Sequence, residues 1–198
     1  MIHHLNGRLV EKTPTYVVIE CGGVGYQVNI SLNTFEQIGG NEQLKLHTHL
    51  VVREDAQILY GFAQTEEREL FLLLLGVSGV GASTARMILS SMDVNQAKMA
   101  IQSNDVNAMK SVKGIGAKTA QRIIIDLQDK LGALEPQFGE VSTQSLTAHN
   151  NSRQEALIAL TTLGFDRSRC EKTLDQILKD KPTMAAVEDL IKDALKRL

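Results

Sequence analysis

Ser78-Gly79-Val80-Gly81-Ala82-Ser83-Thr84-Ala85-Arg86-Met87-Ile88-Leu89 and Lys113-Gly114-Ile115-Gly116-Ala117-Lys118-Thr119-Ala120-Gln121-Arg122-Ile123-Ile124 are one pattern written twice within residues 73–129. Gly79 and Gly114 mark copies 35 positions apart. Each copy has an apolar helical run, then Gly-x-Gly, then a second helical run. An internal repeat of this kind sets the frame for the rest of the chain. The first glycine supplies the left-handed turn that ends a helix. The second lets another backbone approach closely. The helix that follows opens with free N–H groups and a positive dipole end, which together make an anion site. Two such sites in tandem suit two phosphates of a nucleic-acid backbone.

Two rival phosphate motifs fail on spacing. A P-loop needs Gly directly before the Lys-Thr pair and another five residues earlier. Here those places hold Ala117 and Val112. A dinucleotide fingerprint needs a third glycine where Thr119 stands. A single Gly-x-Gly would fit a packing glycine in a helical hairpin equally well; the repeat, with basic residues in the second copy, favours phosphate. The pair resembles the tandem helix-hairpin-helix DNA-binding motif, whose contacts position a protein without reading base sequence.

The 198 residues suffice for one large or two to three small domains, and 43% apolar content allows a core. No run of 18 apolar residues exists, so no membrane span is expected. The start shows no signal peptide, and Cys21 and Cys170 stand far apart. These features fit a reduced, cytoplasmic protein. A net charge of −2 is unusual for a nucleic-acid binder. It is unevenly spread, however: residues 1–63 and 134–150 are acidic, 64–133 and 151–198 slightly basic. Lys110, Lys113, Lys118, Arg122 and Lys130 face only Asp126 and Asp129 across residues 109–130. A phosphate reader belongs there, and its affinity should depend on salt.

Residues 1–63 read as β. Residues 15–21 are β-branched and apolar, Gly22-Gly23 is a hairpin signal, and Val24, Tyr26, Val28 and Ile30 share a face. With later strands around residues 44–52 and 58–62 and a short helical or irregular connection at 32–38, a small barrel is expected. Arg53-Glu54-Asp55-Ala56 separates two apolar strands, placing Glu54 and Asp55 at a hairpin tip. An acidic turn is ordinary. Beside a DNA-binding module, two carboxylates would repel phosphates. His47 and His49 share a strand face and His3-His4 form another pair, but further metal ligands are not evident, so no metal site and no cofactor are expected.

From Thr65, a plausible N-cap followed by Glu66, Glu67 and Glu69, the period becomes helical. Residues 70–75 are unbroken apolar and cover every helix face. That predicts either a central core helix or a surface for a partner, such as a second copy. Asp93 with Gln96 fits a capping box, and Asn104 or Asp105 should cap the next helix. The helix after Gly116 should stop at Gly132. Residues 134–150, with Pro136, Gly139 and no basic residue, read as a flexible linker. Residues 151–198 read as three helices, with capping boxes at Ser152-x-x-Glu155 and Ser168-x-x-Glu171 and a start at Pro182-Thr183. Their apolar stripes fall at 157, 160 and 163, at 174, 177 and 178, and at 187, 190, 191, 194 and 195. Leu163-Gly164-Phe165 resembles the turn of ubiquitin-associated-like (UBA-like) three-helix domains.

Taken together, Gly22-Gly23-Val24-Gly25-Tyr26, the run Val51-Val52-Arg53-Glu54-Asp55-Ala56-Gln57-Ile58-Leu59-Tyr60-Gly61-Phe62, the paired hairpins and the Leu-Gly-Phe turn resemble the RuvA family, the bacterial Holliday junction branch migration complex subunits. The likeness spans essentially the whole chain. It implies a multidomain α and β protein: an N-terminal OB-type β-barrel (1–63), a tandem helix-hairpin-helix domain (64–133), the linker, and a C-terminal domain (151–198). It implies a homotetramer, or two stacked tetramers, that holds a four-way junction open and flat in recombination, repair and the SOS response to DNA damage. The implied partners are the hexameric RuvB ATPase and the RuvC junction resolvase. The implied acidic pin is Glu54 and Asp55. The implied DNA contacts are Gly79, Gly81, Thr84 and Arg86 at the first hairpin and Gly114, Gly116, Lys118, Thr119 and Arg122 at the second. Leu160, Leu163 and Phe165 are the implied motor contacts. Many family members carry Lys where this chain has Ser83 and Ala117, which should weaken salt-dependent phosphate binding.

No carboxylate cluster, His-Asp-Ser set or cysteine nucleophile stands out, so the leading expectation is a scaffold that is not itself an enzyme. A structure-specific nuclease subunit would need several carboxylates converging on a metal. A generic duplex or single-strand binder would not distinguish a junction from its arms.

Overall fold

Gly22 and Gly23 take φ values of 60° and 83°, the left-handed pair that a two-residue hairpin needs. They join strand β2 to strand β3 in a closed barrel. Its members are β1 (His4–Lys12), β2 (Tyr16–Cys21), β3 (Val24–Ile30), β4 (Gln43–Val52) and β5 (Gln57–Phe62), in the order β1-β2-β3-β5-β4. Every pairing is antiparallel except β3 with β5. This is the expected OB-type arrangement. Alternate residues fill it: Leu5, Val17, Ile19, Val28, Ile30, Leu46 and Leu59. Val24, assigned to the same face, is 53% exposed because it sits at the hairpin end, beyond the barrel's filling.

The computed structural model describes residues 1–40, 42–132, 147–180 and 186–198. They divide into two compact units, Met1–Pro136 and Gln137–Leu198. In the first, α1 (Leu32–Gln37) follows β3, and then come α2 (Thr65–Leu75), α3 (Ala82–Ser91), α4 (Val94–Gln102), α5 (Val106–Lys110) and α6 (Ala117–Gly132). Local capping follows the sequence closely. Asp93 and Gln96 form the capping box of α4, Asn104 closes that helix at φ 56°, and Asp105 caps α5 through the Asn107 and Ala108 amides.

Helix α2 departs from expectation at its start. Gln64, not Thr65, occupies the N-cap, and it makes no side-chain cap bond. Glu67 does not face solvent at the dipole end; it is buried. One carboxylate oxygen accepts from Ser31 Oγ and the other from Thr34 Oγ1 at 2.6 Å. Those hydroxyls in turn accept the Thr34 and Ala63 amides. The acid therefore ties α2 to α1, a pairing across more than 30 residues that has no local signature. The apolar run is a central core helix. Leu70, Phe71 and Leu74 are fully buried, Phe71 lies 4.9 Å from the Phe62 ring and 5.2 Å from Tyr60, and Leu72, Leu73 and Leu75 pack at the margin. Burial of each such side chain stabilises by about 2 kcal/mol.

Burial pushes the Glu67 pKa above its ordinary 4.5, and the two hydroxyl bonds pull against that shift. The folded form then binds its proton more tightly than the unfolded form. The stability this group contributes is full below about pH 4.5 and is lost as pH rises through the folded value. Glu67→Gln should abolish that slope in urea melts run from pH 4 upward. Glu67→Ala, which strips both hydroxyls of their acceptor, should cost about 2–3 kcal/mol at neutral pH. An unchanged slope in Glu67→Gln would show that the group is not the source.

The second unit holds α7 (Thr147–Thr162), α8 (Arg167–Asp180) and α9 (Val187–Leu195). Their shared core is Ala156, Leu157, Leu160, Cys170, Leu174, Ile177, Leu190 and Ala194. Two capping expectations are corrected. Helix α7 already runs from Thr147, so Ser152 lies inside it. Asp166, not Ser168, caps α8, accepting the Arg169 amide at 2.9 Å. Pro182-Thr183 and most of the stretch read as linker lie outside the described residues.

Candidate nucleic-acid interface

The two Gly-x-Gly segments fold alike. Val80 N–H donates to Val77 O at 3.0 Å and Ile115 N–H to Val112 O at 3.1 Å. Each is a four-residue turn whose third residue must take positive φ. Gly79 and Gly114 do so, both at 89°. Val77, Val80, Val112 and Ile115 are buried and nail the turns to the core, while all four glycines face out. The next helices open identically, with Ala85 N–H to Gly81 O and Ala120 N–H to Gly116 O, both at 2.9 Å. The amides of residues 82–84 and 117–119 precede the first intrahelical bond, and Gly81 offers α3 no side-chain cap. Each turn thus presents a helix N-terminus to solvent.

The second glycine of each copy does something other than the sequence reading assigned to it. A Cβ on Gly81 or Gly116 would meet no heavy atom within 4 Å, and Gly81 has φ −89°. No neighbouring backbone in the described residues demands glycine there. Both glycines are exposed.

The cations divide into two sets. Lys110, Lys113 and Lys118 are exposed and have no carboxylate partner among the described residues. The arginines are engaged. Arg122 Nη1 donates to Ser78 O and Ser78 Oγ, both at 3.2 Å, so a side chain of the second hairpin braces the turn of the first. Arg86 Nη1 donates to Thr15 O at 3.2 Å and Asn29 Oδ1 at 3.1 Å, both on the barrel side. Thr84 and Thr119 are half-buried at matching helix positions, and Ser83 and Ala117 are exposed beside them.

Glu54 and Asp55 stand exposed at the β4–β5 tip, where Arg53 N–H donates to Ala56 O at 2.8 Å. Neither carboxylate has an ion-pair partner among the described residues. Among the described residues no three His, Cys, Asp or Glu converge. His3 and His47 sit edge to face at 6.2 Å, and His49 packs on Phe71. Burial lowers the pKa of His47 and of His49. No described helix is long and apolar enough to cross a membrane.

Comparison with known proteins fits this geometry. The model of the RuvA N-terminal domain matches residues 1–61, the SAM-like helix-hairpin-helix tandem matches 71–129, and the RuvA C-terminal domain matches 151–198. A Holliday junction branch migration complex subunit RuvA from Christiangramia forsetii is 52% identical over all 198 residues, covering the whole of both chains. Relatives of the same name from Flavobacterium psychrophilum and Bacteroides fragilis are 49% and 48% identical, again over both full lengths. The chain belongs to the RuvA family. The N-terminal match ends beyond the acidic tip, and the tandem match contains both turns.

In the unit matched by the RuvA C-terminal model, the three implied contact residues differ in exposure. Leu160 is fully buried in the three-helix core, because its stripe faces α8 and α9. Leu163 is 61% exposed, and Phe165 is partly covered against the core. Gly164 at φ 97°, with Phe165 N–H on Leu160 O, ends α7 in a Schellman turn that pushes Leu163 outward. Ile158, 57% exposed, is the apolar surface residue of α7 that reasoning from the motif missed.

Proposed function

We propose that this chain is a non-catalytic, structure-specific DNA-binding subunit that holds four-way junctions open during branch migration; its relatives are named Holliday junction branch migration complex subunits. The observation that supports this most is the duplicated turn: two outward helix N-termini with the same hydrogen bonds, in one unit with an exposed acidic tip. The amides after Gly79, Gly81, Gly114 and Gly116, with Thr84 and Thr119 beside them, take phosphates of the junction arms. Lys110, Lys113 and Lys118 supply the charge, and Arg122 braces the first turn while standing beside the second helix. Glu54 and Asp55 repel phosphates at the crossover. Four copies, or two stacked sets of four, surround the junction. The hexameric RuvB ATPase docks on Leu163, Phe165 and Ile158 of the second unit and supplies the energy, and RuvC resolves the product. The subunit acts in the cytoplasm.

Neutralising the tip tests the reading. Glu54→Gln with Asp55→Asn should leave junction binding intact or tighten it up to about tenfold, since each exposed like-charge contact is worth under about 1 kcal/mol, and should alter motor-driven migration. Migration at the wild-type rate, with unchanged binding, would reduce the pair to a solvated turn.

A further inference from the structure

Arg86 breaks the symmetry of the repeat. Its counterpart in the second copy is Gln121, whose exposed side chain makes no hydrogen bond among the described residues. In the first copy Arg86 makes a polar contact from α3 to the barrel, beside the apolar packing of Phe71 on Tyr60 and Phe62. Arg86 is the fifth residue of α3, one turn beyond the free amides, and its Nη1 is committed to Thr15 O and Asn29 Oδ1.

Asn29 makes this more than a local bond. It lies on β3 opposite Tyr60 of β5, and its Nδ2 donates to Leu59 O of β5 at 3.3 Å. Strand β5 begins at Gln57, two residues after the acidic tip. One side-chain amide therefore accepts from the DNA-facing helix and donates to the strand that carries Glu54 and Asp55. The far end of α3 is secured as well: Asn33 Nδ2 donates to Leu89 O at 2.6 Å and Met92 O at 2.9 Å, and Leu32 N–H donates to Ser90 Oγ at 3.2 Å. The two Asn33 bonds satisfy carbonyls that a helix C-terminus leaves open. The N-terminal half of α3 is packed through Ala82 and Ala85, and Arg86 adds a polar tie from that half to the barrel.

Resting on the reading of junction binding above, we propose that Arg86 is a positioning residue that sets the spacing between the first phosphate site and the acidic tip through Asn29, and does not itself carry a phosphate. A junction, whose crossover must meet the tip while its arm meets the hairpin, needs that spacing. A plain duplex needs only the hairpin.

The test is titration of the full chain, as wild type, Arg86→Gln, Arg86→Lys and Asn29→Asp, with a four-way junction and with duplex of the same arm sequence across a salt series. Thermal melts confirm that each variant is folded. Arg86→Gln and Arg86→Lys should both reduce the preference for junction about tenfold, the size of one charge-assisted hydrogen bond. The slope of log K against log salt should stay at the wild-type value. Asn29→Asp keeps the acceptor for Arg86 but loses the donor to Leu59, and should lose preference too. A phosphate ligand behaves differently: Arg86→Gln would lower the slope by about one per chain, duplex and junction would weaken together, and Arg86→Lys would restore both. That pattern, or an unchanged preference in all three variants, overturns the proposal. A wild type without junction preference contradicts the functional reading instead, and the salt slope still reports whether Arg86 meets phosphate.

Discussion

Valine at both Gly81 and Gly116 is expected to weaken four-way-junction binding roughly a hundredfold while the protein stays folded. The two effects separate because the positions are outward and unstrained. Neither glycine has positive φ, and a Cβ there meets nothing in the protein. The fold should lose only about 1 kcal/mol per site, from a poorer N-cap. The phosphate, by contrast, must come within about 3 Å of the amides that follow each glycine, and a branched side chain at the exposed turn competes for that space. Loss of roughly one hydrogen-bonded anion contact per hairpin is about 1–1.5 kcal/mol, or tenfold, at each of two sites. Calorimetry and a binding titration on the same preparation measure both quantities. Binding within twofold of wild type would mean that the helix N-termini are not the phosphate sites.

The other large effect concerns the second unit. A chain cut after residue 150 should bind the junction within about threefold of the full chain, yet show no ATP-driven migration above background with the motor present. Residues 152–198 form their own core, and the first unit is compact without them. Three large apolar side chains, Ile158, Leu163 and Leu195, remain 44–61% exposed on that small unit. A fluorescence strand-exchange assay gives the outcome directly. Persistent migration would place the motor contact in the first unit. In the full chain, Leu163→Asp should reproduce the loss, whereas the buried Leu160 is unsuitable for testing contact because its replacement damages the core.

The features legible in the sequence were those that chemistry places within a few residues of one another. Gly22-Gly23, the Asp93–Gln96 box and the left-handed Gly79 and Gly114 each follow from a local backbone requirement, and the barrel follows from alternation over short spans. What stayed hidden was polar pairing at a distance. Glu67 looks like a surface acid at a helix start, since nothing nearby reveals Ser31 and Thr34 waiting in the core. Arg86 and Arg122 read in the sequence only as cations beside the turns, because their partners Asn29 and Ser78 are 57 and 44 residues away. At α8, Asp166 and Ser168 are both good caps, and only the turn geometry after Gly164 selects the aspartate. Leu160, a motor contact implied by the resemblance, lies on the apolar stripe that fills the three-helix core.

The most direct measurement is a competition titration. A labelled four-way junction is challenged with unlabelled duplex of identical arm sequence, at near-physiological salt and with magnesium. Two tandem phosphate sites set at a fixed spacing from an acidic tip predict that duplex displaces the junction only at large excess, of order a hundredfold or more. Displacement at equal concentration would contradict the account, leaving the paired hairpins as a plain duplex clamp and the carboxylates of Glu54 and Asp55 as an ordinary turn.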